Sequence, residues 1–249
     1  MFRTLFSAAL LAAALSLAGC KPGADEQRPP SARDFPRPYR PVSAVSGGGF
    51  STEQARDDRR EAQTVMDLAQ IRPGMTVADI GSGEGYYTVR LAERVGKKGR
   101  VLAEDIDRDA LARLGSRVEA EHLDNVSIKL GTEDDPKLPP GSFDRIFMVH
   151  MYHEVSEPYA FLWHLRPALK TGGSAIVVET DRPTNQHGIP PKQLFCEFEH
   201  VGFRLAEFVR KPELANYYAR FEAVGKRPEP HEIEPCSKPG EANDKSAAG

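Results

Sequence analysis

Only three cysteines and one tryptophan occur in 249 residues, and no block of like charge appears. Cysteines at 20, 196 and 236 are too few for a disulfide framework, and their spacing offers no metal site. Export would permit one bridge, but Cys196 and Cys236 are expected to be free and unrelated. A formal net charge of -3 without a basic cluster argues against nucleic acid as a partner. No internal repeat or heptad run is present. No apolar stretch reaches the length of a comfortable membrane span, which needs about 20 residues. The Gly-Lys-Ser/Thr ending of a phosphate-binding loop is also missing.

The longest apolar run, Leu5 to Leu17, follows Arg3 and ends Leu17-Ala18-Gly19-Cys20. This order resembles a bacterial lipoprotein signal, in which the cysteine is lipidated and becomes the new N-terminus. Ser16-Leu17-Ala18 is the alternative, an ordinary secretory cleavage site. The reading gives a signal peptide over 1–20 and a lipid anchor at Cys20, with the chain facing the periplasm. An unprocessed signal would leave it on the cytoplasmic face. Residues 21–50 are rich in Pro, Arg, Ser and Gly and read as a disordered tether, and 225–249 as a disordered tail. The folded domain is expected over 51–224.

Within it, helical and strand patterns alternate. Ser51 and Gln54 fit a capping box opening one helix with Ala62, Val65, Met66 and Ala69 on its apolar face. Apolar strands follow at 75–80, 101–103, 126–130, 143–149 and 175–178, with helices between them. Two closing strands, 203–209 and 217–223, have no helix between them and are expected to pair antiparallel. The fold class is α/β, a doubly wound, mostly parallel sheet.

After the first strand comes Asp79-Ile80-Gly81-Ser82-Gly83-Glu84-Gly85. Glycines there let backbone N–H groups approach a ligand. A dinucleotide fingerprint would need its third glycine at Tyr86. Asp79 and Glu84 place negative charge where a pyrophosphate would sit, so the loop suits a ligand with little phosphate charge. The loop resembles the first motif of the class I S-adenosylmethionine-dependent methyltransferases, acidic-x-Gly-x-Gly-x-Gly. Leu169-Lys170-Thr171-Gly172-Gly173 resembles a further turn of that family, with Thr171 in place of a common proline.

The resemblance implies a Rossmann-like sheet of seven strands with the last reversed, and S-adenosyl-L-methionine as cofactor. It implies that Asp79, Gly81, Ser82, Gly83 and Gly85 cradle the cofactor. Asp105, about twenty residues on, would hold the ribose hydroxyls, and Ile106 would line the adenine. Glu133 or Asp134 would meet the adenine amine; the sequence leaves that choice open. Asp107 caps the next helix. His150 and His153 fall where donor and acceptor should meet, with His150 beside the cofactor and His153 as a general base. His-x-x-His-Glu is not the His-Glu-x-x-His pattern, and no metal is expected. The amino-methylating Asp-Pro-Pro-Tyr motif is absent. The acceptor is expected to be a small molecule or lipid, with Arg59, Arg60, Arg182 and His187 as candidates to reach it. Export conflicts with a cofactor made in the cytoplasm. The alternative is a non-catalytic envelope lipoprotein that binds an adenosyl compound or lipid on the same fold.

Overall fold

The computed structural model describes residues 26–43, 52–211, 214 and 216–236. The signal-like segment with Cys20, the expected cap Ser51 and the end of the tail lie outside the described residues. Seven strands form one sheet: β1 (Thr76–Ile80), β2 (Arg100–Asp105), β3 (Val126–Leu130), β4 (Phe143–Val149), β5 (Leu169–Glu179), β6 (Phe203–Lys211) and β7 (Asn216–Ala223). Their order is β3-β2-β1-β4-β5-β7-β6. The first five run parallel, while β7 is antiparallel to both β5 and β6, as the sequence predicted.

Alternation along β1 explains the layers. Val77 faces one side and Ala78 the other, and both are fully buried. On the Val77 side pack α2 (Glu61–Leu68) and α3 (Tyr86–Val95), through Val65, Met66, Leu91 and Val95. On the Ala78 side pack α5 (Pro158–Leu165) and α6 (Pro191–His200), through Leu162, Leu165, Leu194 and Phe198. Between β2 and β3 runs α4 (Arg108–Ala120), and Leu114 seats it against Ala103. Asp107 caps α4, accepting from the N–H groups of Asp109 and Ala110.

The expected single N-terminal helix is two. The first, α1 (Glu53–Asp58), is capped by Thr52, whose hydroxyl accepts from Ala55 N–H at 3.2 Å, rather than by Ser51. Arg60, at φ 54°, breaks it from α2. The break lets Arg56 and Glu61 face one another in a 2.6 Å ion pair.

Two other expectations need correcting. Residues 26–43, read as tether, lie on the α5–α6 side. Ala32 and Phe35 join its apolar core, Arg28 pairs with Glu157 and Arg40 with Glu197. Apolar anchors inside a proline-rich stretch outweigh its composition. Likewise 225–236 is ordered at the head of the expected tail: Ile233 and Cys236 are buried, and Cys236 is bonded to Cys196 of α6. The cysteines are thus one cross-link, 40 residues apart. A loop of that size stabilises by about 2–4 kcal/mol. Reductant is therefore expected to lower the melting temperature by roughly 5–15 °C. Identical melts with and without reductant would show that the bridge contributes little.

Candidate functional site

Open parallel sheets bind ligands where the strand order reverses, beyond the carboxyl ends of the strands. Here that point lies between β1 and β4. A cleft of about 640 Å³ opens there, within the range of small-molecule sites. Gly81, Ser82 and Gly83 form its floor.

Each glycine of the turn has its own reason. Gly81 has φ +67°, and a Cβ there would lie 2.9 Å from two side-chain carbons of Met151. Gly83 has φ +52° and open space on its Cβ side, which leaves the cleft clear. Gly85, at φ +91°, faces away from the cleft; a Cβ there would lie 2.4 Å from Leu114. Its amide closes the turn on Ser82 O at 2.9 Å. Gly85 thus shapes the loop without lining the cleft.

Asp105 lines the cleft at the end of β2. One carboxylate oxygen accepts from Gly83 N–H at 2.8 Å and the other from Asp107 N–H at 2.9 Å. These bonds hold the carboxylate at the glycine loop with lone pairs to spare. Next to it Ile106 is 39% exposed, one of few large apolar side chains left open among the described residues. It too lines the cleft, an apolar face suited to a flat ring. Glu133 lines the cleft, whereas Asp134 is buried and turns to Ser31 Oγ on the N-terminal segment.

Asp79 is not in the cleft wall. It is buried beneath the loop and accepts from Thr88 Oγ1 at 2.6 Å. Burial pushes its carboxyl up to about 6, against the Thr88 bond. Burial also holds Glu104, which does line the cleft, well above the usual carboxylate range, and Asp105 adds to the effect. Glu104 Oε1 is buried without a hydrogen-bond partner. The wall carries seven carboxylate side chains against two arginines. A cationic ligand would relieve that crowding; an anion would add to it.

His150 lines the cleft, with Nε2 3.6 Å from Glu61 Oε1. Glu61 is the hub of a cluster that sequence reasoning missed. It also accepts from Arg56 at 2.6 Å and from Tyr87 Oη at 3.3 Å. Burial alone would raise its carboxyl; hydrogen bonds from His150 and Arg56, with their charges, bring it down to about 2. Arg56 stacks over the Tyr86 ring at 3.7 Å, and both line the cleft with Glu53. The only hint of these residues in the sequence is a glutamate on the apolar side of a short helix.

His153 is placed differently from expectation. Its ring is 1% exposed and sits behind the cleft wall, with Glu154 rather than His153 lining the cleft. Nδ1 is held by both oxygens of Glu179, at 2.9 and 3.0 Å. A ring so enclosed is not positioned as a general base toward the cleft. Arg59, Arg60, Arg182 and His187 are likewise not among its lining.

Residues 77–173 match the family model of the methyltransferase domain. Nocamycin O-methyltransferase of Saccharothrix syringae is 37% identical over 86 residues, 34% of this chain and 31% of that one. Demethylmenaquinone methyltransferase of Bacillus cereus is 29% identical over 140 residues, 56% of this chain and 58% of that one. The chain thus matches less than two thirds of the length of either relative. Among solved structures, a SAM-dependent methyltransferase from Aquifex aeolicus superposes with a TM-score of 0.64 at 26% identity, over 68% of this chain and 93% of that one.

The fold, with its reversed β7, is that of the class I methyltransferases, and the segment similar to the methyltransferase domain runs from β1 into β5.

Proposed function

We propose that this protein transfers the methyl group of S-adenosylmethionine to a small-molecule or lipid acceptor. The observation that carries the proposal is the junction of Gly83 and Asp105 in an acidic cleft at the β1/β4 reversal. The residues fit the cofactor on structural grounds. Asp105 offers a fixed carboxylate for vicinal hydroxyls, Ile106 an apolar face, and Glu104 a buried oxygen without a partner. When bound, S-adenosylmethionine supplies a methyl group on a cationic sulfur. The chain's part is to bind, align and exclude water, and alignment alone can supply about 7–11 kcal/mol. Calorimetry with S-adenosylmethionine tests the reading, and absence of heat at millimolar ligand would overturn it.

Asp79 gives the site a pH signature. Its folded carboxyl sits near 6, above the ordinary 3.8. Its contribution to stability is therefore full below about pH 4 and lost as pH rises through about 6. A bound cation acts in the opposite sense, favouring the charged carboxylate. Affinity is expected to rise by up to about tenfold per pH unit toward pH 6 and then level off. Thermal melts with and without S-adenosylmethionine check this. The ligand-free melting temperature should fall between pH 5 and 7.5 while the ligand-induced shift grows. A shift independent of pH would remove Asp79 from the ligand's field.

The Cys196–Cys236 bridge favours a second reading. Disulfides persist in oxidising compartments and are rare in the cytosol. The bridge supports export, away from cofactor synthesis, and in this reading Cys20 carries the lipid anchor facing the periplasm. A ligand-binding lipoprotein without turnover follows from that placement. Binding of S-adenosylmethionine without methyl transfer to any envelope extract would favour it. Lipid labelling that survives Cys20→Ala would overturn the anchor.

A further inference from the structure

The enclosed ring of His153 has one nitrogen accounted for and one not. Glu179, fully buried, faces Nδ1 with a carboxylate. A carboxylate can only accept, so Nδ1 carries a proton and donates, and in the neutral ring Nε2 keeps a lone pair. Nε2 is buried and makes no hydrogen bond. The Glu154 carboxylate lies opposite, with Oε1 at 3.8 Å. In that tautomer two acceptors, the Nε2 lone pair and the Glu154 carboxylate, face each other. His187 closes the third side: its ring stands at 88° to that of His153, with centroids 5.6 Å apart. One ligand-type atom from each of His153, Glu154 and His187 lies within 4.8 Å of the others.

We propose that His153 Nε2, His187 and Glu154 bind one divalent transition-metal ion, zinc or a near neighbour. Two imidazoles and a carboxylate suit such ions, whereas calcium and magnesium prefer oxygen alone. The Glu179 contact is the second support. A carboxylate on the far nitrogen of a ligating histidine fixes the tautomer and raises its basicity. Ligands around a tetrahedral ion at about 2.1 Å sit roughly 3.4 Å apart, so the three groups must close slightly. His187 can supply that movement, because it is exposed on the loop between β5 and α6. Sequence spacing conceals the set: His153 and Glu154 are adjacent, and only the fold brings His187 to them. Glu154 also lines the cleft, so the ion stands at its edge. The site does not depend on the methyl-transfer reading.

The test uses the full chain without an affinity tag, stripped with chelator, in non-reducing buffer. Titration with Co²⁺ is followed by visible absorption, and Zn²⁺ uptake by equilibrium dialysis. One ion per chain is expected, with a saturable cobalt spectrum. His187→Ala, on an exposed loop, should melt as the wild type does and lose affinity by on the order of 100-fold or more. Glu179→Gln should weaken binding about 10- to 100-fold through His153. His200→Ala, beside the disulfide, should bind like the wild type. The competing account is an imidazolium held between Glu179 and Glu154. No cobalt uptake at about 100 µM would favour it and overturn the proposal. So would a His187→Ala variant that binds as tightly as the wild type.

Discussion

Asp105→Ala is expected to weaken S-adenosylmethionine binding by about 100- to 10 000-fold. In the proposed binding mode the carboxylate accepts two ribose hydroxyls, and each charge-assisted bond contributes about 1.5–3 kcal/mol. Its present partners, the amides of Gly83 and Asp107, also hold the glycine turn against β2. The variant therefore loses both the contact and the preformed loop. Asp105→Asn keeps the shape and one acceptor, and should cost about tenfold less than the alanine change. Calorimetry at pH 7.5 measures both, and the ligand-free melting temperature reports whether the fold is intact. A folded Asp105→Ala protein binding within about threefold of wild type would detach the carboxylate from ligand recognition.

The largest expected loss of stability lies in the buried pair of Arg40 and Glu197. Arg40 is buried and donates to Glu197 Oε1 at 2.7 Å, and to the carbonyls of His153 and Val155 at 3.2 and 3.1 Å. Glu197 also accepts from Tyr152 Oη at 2.8 Å and Gln193 Nε2 at 2.9 Å. Arg40→Ala removes the positive charge and leaves Glu197 buried and uncompensated. Breaking one side of such a pair costs about 3–5 kcal/mol. For a domain of this size that corresponds to a fall of roughly 6–20 °C in melting temperature. Replacing both partners, Arg40→Met with Glu197→Leu, should recover much of the loss, because no lone charge remains. A single variant melting within about 2 °C of wild type would mean that the segment's contact with the domain is marginal. The same arginine organises the turn that carries His153 and Glu154, so its loss should also blunt cobalt uptake.

How far the chain could be read without coordinates depended on how local each signal is. The glycine turn, Asp105 and Asp107 are short-range features, set by backbone conformations that few residues tolerate, and each stands near its expected place. The parallel order followed from helices between strands, and the reversal of β7 from the missing helix before it. The motif puts Asp79 and Gly85 in the cradle, yet they shape it from behind. A motif marks which residues build a turn, not which of them face outward. Contacts between distant segments left no local trace. Arg40 meets Glu197, Cys196 meets Cys236 and His153 meets His187 only because the sheet is folded. Composition misjudged 26–43 for the same reason: Phe35 packs edge-on against Trp163, a partner no window along the chain contains.

The docking of that segment changes how far the domain could roam from a bilayer. A free chain from Cys20 to Phe50 would extend about 100 Å. Arg28 is docked instead, paired with Glu157 at 2.6 Å. With a lipid on Cys20, as proposed above, the eight residues from there to Arg28 can span at most roughly 25–30 Å. Such a span would keep the Glu157 flank near the headgroups, where an acceptor of the lipid kind would arrive by diffusion within the leaflet.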